Sequence, residues 1–166
     1  IPIRNPNGGR AFVPMIVLYF HQHFSTPNGA AGIRSYAMAR KLLSKGHKVI
    51  MVCGNNELGD SGVKGKFRYG RRTSVVDGIK VIEFKLDYSN SDNFIKRAII
   101  FLKFAFRSVL IALTEKYDVV FATSTPLTAS IPGIFARWIR GKKFIFEVRN
   151  LWPELPKEMG VIKNPI

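Results

Sequence analysis

Short, almost wholly apolar runs alternate along this chain with longer stretches whose apolar residues recur at helical spacing, and few folds accommodate that alternation. Residues 15–20, 48–53, 118–122 and 142–148 are such apolar runs, and small or polar residues follow each of them. A strand that is apolar on both faces must be covered on both faces, as parallel strands are by their crossover helices. A helical pattern over residues 32–44 joins the first two runs, and Gly46 behind it suits a left-handed helix stop. This is a βαβ unit, which places its two strands in parallel. The pattern further predicts a helix over 93–113, a strand over 118–122, a helix over 126–139 with Pro in its first turn, and a strand over 142–148. Asp77-Gly78, between Val75-Val76 and the apolar run 79–86, signals a tight hairpin turn, whereas residues 54–74, rich in Gly and cations, read as a mobile surface loop. The expected fold class is α/β: a Rossmann-like three-layer domain with a mainly parallel sheet. The strands near Met15, Lys48, Asp118 and Lys142 are expected at its centre, with their carboxyl ends meeting at one crevice.

A chain of 166 residues is long enough for one such domain. Residues 1–14, with three prolines and two adjacent glycines, show no periodicity and read as a leader or vector-derived segment, leaving 15–166 as the domain. The net charge of +15, from 26 Lys and Arg against 11 Asp and Glu, calls for an anionic partner: nucleic acid, an acidic membrane surface or a phosphorylated substrate. The single Cys53 excludes an internal disulfide, and its apolar surroundings mark a buried thiol. No apolar run reaches the ~20 residues of a spanning helix, and the N-terminus has no signal-peptide pattern.

Four segments could carry chemistry. The turn from His21 to Gly32 feeds the first predicted helix with small residues, Gly29, Ala30, Ala31 and Gly32, which would leave backbone N–H groups open to a phosphate at a helix N-terminus. The alternative is a turn kept small for packing. It lacks both the G-x-G-x-x-G fingerprint of a dinucleotide site and the Gly-Lys-Ser/Thr ending of a P-loop, which counts against a nicotinamide oxidoreductase. His21 and His23 alternate, but no Cys or carboxylate cluster joins them, so no metal is expected; a sugar contact by His21 or a core hydrogen bond remain. Thr123 and Ser124 end a strand, where they can line the crevice or cap the next helix. Finally, the helix over 93–113 carries more Phe, Ile and Leu than one core stripe needs. Phe94, Lys96, Arg97, Phe101, Lys103, Phe104 and Arg107 suit a helix lying in a membrane interface, and burial against a partner domain is the other reading. The run Lys64 to Arg72, where aromatics interleave with cations, motivates a nucleic-acid-binding alternative.

Several motifs carry a family resemblance. Glu147-Val148-Arg149-Asn150-Leu151-Trp152-Pro153-Glu154 resembles the E-V-R-D-L-W-P-E segment in the N-terminal domain of family 4 glycosyltransferases, retaining two-domain GT-B enzymes that build bacterial surface polysaccharides. Leu18 to Gln22, Gly29 to Gly32, Arg34-Ser35-Tyr36 and Gly46-His47-Lys48-Val49 are similar to that family's opening, and Asp118 to Leu127 to its D-V-V-x-A-T-S-x-P-L segment. Asn150 stands where Asp is usual, Ala31 where Gly is frequent, Ala37 where Glu is common and His23 where an aromatic is usual.

The resemblance implies the N-terminal, acceptor-binding half of a GT-B hexosyl- or N-acetylhexosaminyl-transferase, with the donor-binding domain absent and the fragment alone inactive. It implies a nucleotide-sugar donor as substrate, no cofactor or metal, and a polyprenyl-diphosphate-linked or glycan acceptor. It also implies an anionic membrane surface on the cytoplasmic face of the cell membrane, with no nucleic acid. Gly29, Ala30, Ala31 and Gly32 would approach the donor phosphate; His21, Arg34, Thr123 and Ser124 the sugar or acceptor; Arg149, Asn150 and Glu154 would be catalytic. Arg149 can grip a phosphate or acceptor oxygen through its planar fork, and Asn150 can orient a hydroxyl but cannot act as a base. Alternatively Asn150 caps the helix entered at Pro153, and Arg149 pairs with Glu154.

Overall fold

The computed structural model describes residues 13–89 and 91–149. Asn150 and Glu154 therefore lie outside the described residues, as does most of the leader. Six strands form one sheet: β1 (Ile16–Phe20), β2 (Lys48–Asn56), β3 (Arg71–Val76), β4 (Ile79–Tyr88), β5 (Val119–Thr123) and β6 (Lys143–Glu147), in the order β3-β4-β2-β1-β5-β6. All pairings are parallel except the β3–β4 hairpin. Helix α1 (Arg34–Ser44) joins β1 to β2, α2 (Phe94–Thr114) joins β4 to β5, and a 3₁₀ turn at Leu127–Ser130 leads into α3 (Ile131–Arg140) before β6. One core cluster, with Leu18, Phe20, Ile82, Phe84 and Val120, packs under α2 and α3. The other, with Tyr19, Met51, Cys53 and Val81, packs under α1. The protein is thus the three-layer, mainly parallel α/β domain that its apolar runs require.

Local chemistry sets the element ends. Helix α1 stops where Gly46 takes φ +82° and the His47 N–H reaches back to the Leu42 carbonyl, an exit that a Cβ would strain. The Asn93 side chain starts α2 by accepting from the Lys96 N–H at 2.8 Å. The hairpin turns at Asp77-Gly78, φ +49° and +83°, the two-positive-φ turn that Asp-Gly favours. Cys53 is fully buried, and burial holds its thiol well above the ordinary range.

Three expectations are corrected. Strand β6 is an edge strand among the described residues, not a central one, and the fourth interior strand is β4. The apolarity of Phe144-Ile145-Phe146 conceals this, because Phe144 and Phe146 pack on the core while Ile145 is half-exposed. Residues 54–74 are no free loop: 54–56 belong to β2 and 71–74 to β3, Ser61 and Val63 are buried, the Asp60 carbonyl accepts from the Thr26 N–H and hydroxyl, and the Leu58 carbonyl accepts from Ala30 and Ala31. Those anchors are backbone carbonyls, which leave no trace in sequence. Pro126 does not start an α-helix; it follows a cis peptide bond and precedes the 3₁₀ turn, while Pro132 occupies the first turn of α3.

Phe104 on α2 is fully buried and meets the Phe84 ring edge-on at 6.2 Å. Truncating it should leave a cavity between α2 and the sheet, so Phe104→Ala is expected to lower unfolding free energy by about 3–5 kcal/mol in urea titrations.

Candidate functional site

The chain leaves β1 toward β2 through α1, but crosses back from β4 over α2 to reach the other side of β1 at β5. The β1–β5 boundary is the point where strand order reverses, and ligands of open α/β sheets bind outside the carboxyl ends of the strands at such a point. A cleft of about 750 Å³ opens there. His23, Tyr88, Phe94 and Phe101 give it an aromatic side, and Ser124, Thr125 and Thr128 supply hydroxyls. Ala31, Asn56, Glu57, Leu58, Arg97, Pro126 and Leu127 complete the lining. Three of the aromatic rings are in contact: Tyr88 stacks on Phe101 at 5.7 Å between centroids, and His23 lies tilted against Tyr88 at 4.7 Å. Glu57 is held by the Ser89 hydroxyl at 2.7 Å.

His21 lies beneath this floor rather than in it, 2% exposed. Its Nδ1 is 2.7 Å from the Ser35 hydroxyl on α1 and its Nε2 is 3.3 Å from the Thr125 hydroxyl after β5, so one ring bridges the loops at the switch point. Burial, then the nearby His23 and Arg149, holds the His21 imidazole down to about 3. Burial and then Arg97 hold His23 down to about 4. Both rings are neutral at pH 7. Among the described residues no group of three or more His, Cys, Asp or Glu is placed to share a cation.

Arg149 reaches the same point from β6, its N–H donating to the Ser124 hydroxyl at 2.8 Å. Ser124 therefore links the ends of β5 and β6 instead of capping the next helix, and the buried Thr123 hydroxyl has no hydrogen-bond partner among the described residues. Arg34, the first residue of α1, pairs with Glu147 at 2.5 Å.

The small loop differs from expectation in an instructive way. The Gly29 N–H donates to Thr26, and those of Ala30 and Ala31 to Leu58, so these three amides are not open to an anion. Gly29 is small because a Cβ would sit 2.4 Å from the Ser25 hydroxyl and 2.5 Å from the Asp60 nitrogen. Gly32 has open space where its Cβ would be, and no side chain caps α1 behind it.

Of the seven residues read as membrane-facing, Phe104 is in the core, Phe101 and Arg97 line the cleft, and the Arg107 guanidinium donates to the Gly70 carbonyl at 3.0 Å. Lys96 pairs with Asp92 at 2.5 Å, Phe94 is both exposed and in the cleft lining, and Lys103 faces solvent. The outward apolar stripe of α2 is instead Ile95, Ile99, Leu102, Phe106 and Leu110. Its spacing by threes and fours was visible in the sequence. Glu57 and Tyr88 had no such signal, since only the sheet register brings them to the cleft. In the Lys64–Arg72 run, Arg72 stacks on Phe67 at 4.5 Å and pairs with Glu83, so both belong to the fold.

No protein-family model and no curated protein matches the chain. Among solved structures, the C-terminal domain of a Pyrococcus furiosus hydrogenase is similar at 13% identity over 81% of this chain and 95% of that one, TM-score 0.54. The glycotransferase of kitacinnamycin is 17% identical over 89% of this chain and 34% of its own, TM-score 0.49. An Escherichia coli structure described as trehalose-6-phosphate bound with UDP-2-fluoro glucose is 13% identical over 79% and 32%, TM-score 0.45. At 13% identity, what the hydrogenase domain shares with this chain is the fold. The chain spans about a third of the length of the last two.

Because His21 and His23 are neutral when folded and titrate near their ordinary 6.5 when unfolded, the unfolded state binds more protons below that pH. Stability is therefore expected to fall as pH drops from about 6.5 toward 4, with a slope approaching about 1.4 kcal/mol per pH unit for each ring. His23→Asn should remove one such contribution in urea midpoints measured between pH 7 and 5.

Proposed function

We propose that this chain is the N-terminal half of a retaining GT-B glycosyltransferase of the family 4 type. The whole enzyme moves a hexosyl or N-acetylhexosaminyl group from a nucleotide-sugar to a polyprenyl-diphosphate-linked or glycan acceptor in surface-polysaccharide synthesis. What carries the reading is a cleft at the strand-order switch point lined by Ser124 and Thr125, with the backbone N–H of Arg149 bonded to the Ser124 hydroxyl beside it and the family-like motifs spanning all three residues.

In this reading the acceptor occupies the cleft, with the aromatic rings against its apolar face and the Ser124, Thr125 and Thr128 hydroxyls toward its polar edge. Donor phosphate binds on the other side of the loop, at Gly32 and the uncapped start of α1, where the dipole favours an anion and Arg34 and Arg149 stand near. Gly29, Ala30 and Ala31 shape that loop without donating to the phosphate. In a retaining transfer the donor's own phosphate takes the acceptor proton, so the chain supplies positioning and charge, and Asn150 in place of an acid is compatible with the step. Asn150 would orient the acceptor hydroxyl, and Glu154 would support that end of the motif.

The enzyme works peripherally on the inner face of the cell membrane, with the stripe Ile95, Ile99, Leu102, Phe106 and Leu110 in the interface. Neither α2 nor α3 contains an acidic residue, while Lys96, Lys103, Arg107, Arg137 and Arg140 lie on them, so the layer's charge complements anionic lipid. No described helix is long and apolar enough to cross a membrane.

In the full-length enzyme, Arg149→Lys is expected to lower turnover roughly 100-fold with unchanged melting, because an ammonium lacks the planar fork. Gly32→Ala should fold normally yet weaken nucleotide binding, whereas Gly29→Ala should lower stability outright. Unaltered turnover in Arg149→Lys and unaltered nucleotide affinity in Gly32→Ala would remove the catalytic reading. Separately, the chain should sediment with vesicles containing anionic lipid, release as salt rises, and bind less well as Leu102→Ser/Phe106→Ser.

A further inference from the structure

A second turn in this protein repeats the Asp77-Gly78 geometry with a residue that does not suit it. Arg68 and Arg71 exchange backbone hydrogen bonds at 2.9 and 3.0 Å around Tyr69-Gly70, whose φ angles are +50° and +71°. The turn at the other end of β3 has φ +49° and +83° and places Asp in the first position. Two-residue hairpins of this geometry favour Asn, Asp or Gly there, and a ring-bearing side chain at positive φ is an outlier that costs free energy. Nothing in the fold offsets that cost, because Tyr69 is 101% exposed. Strain held at an exposed side chain without packing directs attention to function.

The surroundings define what the ring meets. Lys64, Lys66, Arg68 and Arg71 are all exposed around the tip, and residues 61–76 include no Asp or Glu. The tip is fixed to the body: the Gly70 carbonyl accepts from Arg107 on α2 at 3.0 Å and from the Lys85 N–H at 2.9 Å. Gly70 suits its φ of +71°, and a Cβ there would also press on the Arg107 guanidinium at 2.8 Å. On a helix turning about 100° per residue, Lys96, Lys103 and Arg107 form a line along one flank of the stripe that contains Ile99, Leu102 and Phe106. Through Arg107 the hairpin tip is attached to that flank, so the exposed tyrosine, the cations and the apolar stripe are continuous.

We propose that the Tyr69 hairpin is a second interfacial anchor, seating its ring at the headgroup level of an anionic bilayer beside α2. Tyr suits that depth, with an apolar body and a polar tip, and the flanking cations reach lipid phosphates. This rests on the membrane reading of α2 given above. Single-stranded nucleic acid is the competing partner for a cationic aromatic tip. It calls for successive stacking platforms, whereas Phe67 is covered by Arg72 and Tyr69 alone is presented.

The test compares the wild-type chain with Tyr69→Gly, Tyr69→Trp, Lys66→Ala/Arg68→Ala and Leu102→Ser/Phe106→Ser, using sedimentation with anionic and neutral vesicles, oligothymidylate binding and melting. Tyr69→Gly is expected to melt no lower than wild type, since Gly accepts the turn, yet to bind anionic vesicles about fivefold less. Tyr69→Trp should retain binding and shift its emission to the blue on vesicles. The double cation variant should lose about tenfold or more at low salt and little at high salt. If the wild type ignores vesicles, both the membrane reading and this anchor fall. If Leu102→Ser/Phe106→Ser weakens vesicle binding while Tyr69→Gly does not, the membrane reading stands and the anchor is refuted. Loss of oligothymidylate binding by Tyr69→Gly with vesicle binding intact would transfer the tip to nucleic acid and overturn the proposal.

Discussion

The five residues of β1 have parallel neighbours on both sides, β2 through residues 48–52 and β5 from residue 119 onward. Their backbone groups are satisfied only while both neighbours hold register, and their side chains are buried between α1 on one face and α2 with α3 on the other. Everything at the candidate site depends on that strand. It ends in His21, whose two ring nitrogens meet α1 and the loop after β5, so the imidazole reports the relative position of both crossovers. Burial first, and then the neighbouring His23 and Arg149, favour the neutral ring.

Charge is distributed unevenly. Every described Asp and Glu side chain has a hydrogen-bond or ion-pair partner: Glu147 with Arg34, Glu83 with Arg72, Glu115 with Lys80, Asp92 with Lys96, Asp87 with Asn55, Glu57 with Ser89, Asp77 with Tyr36, Asp60 with Gly62 and Asp118 with Ile16. The carboxylates are thus spent on holding loops and strand ends, and the exposed pairs add little stability. The excess of cations lies on both faces of the sheet: α1 has Arg34, Arg40 and Lys41 and no acid, α2 and α3 have no acid either, and the 64–72 hairpin adds Lys64, Lys66, Arg68, Arg71 and Arg72. What sets α2 apart is that its cations flank an exposed apolar stripe, Ile95, Ile99, Leu102, Phe106 and Leu110.

Apart from β3, most of which fell in the stretch read as a loop, and the start of α3, the strands and helices were legible in the sequence, as were the stop at Gly46, the turn at Asp77-Gly78 and the buried Cys53. Each depends on local chemistry: period, backbone permissiveness or an apolar neighbourhood. The outward stripe of α2 was equally legible by its spacing, but residue type alone led instead to Phe101 and Phe104, which face the cleft and the core. Aromatics and cations mark an amphipathic helix without telling which flank faces out; only the period does.

What the sequence determined by itself was the α/β class and the segments whose ends could carry chemistry, because apolar periodicity and turn residues act over a few positions. Only tertiary structure decided that β6 lies at the edge and β4 inside, that Gly29, Ala30 and Ala31 donate their amides to the protein, and that Glu57, Tyr88 and Thr125 share one cleft. Sheet order sets the first and the last of these, and the amides of Ala30 and Ala31 end on the Leu58 carbonyl, far away in the chain, while that of Gly29 ends on nearby Thr26. Backbone carbonyls are alike in every residue, so which of them meets a given amide is set by packing and never written in the side chains.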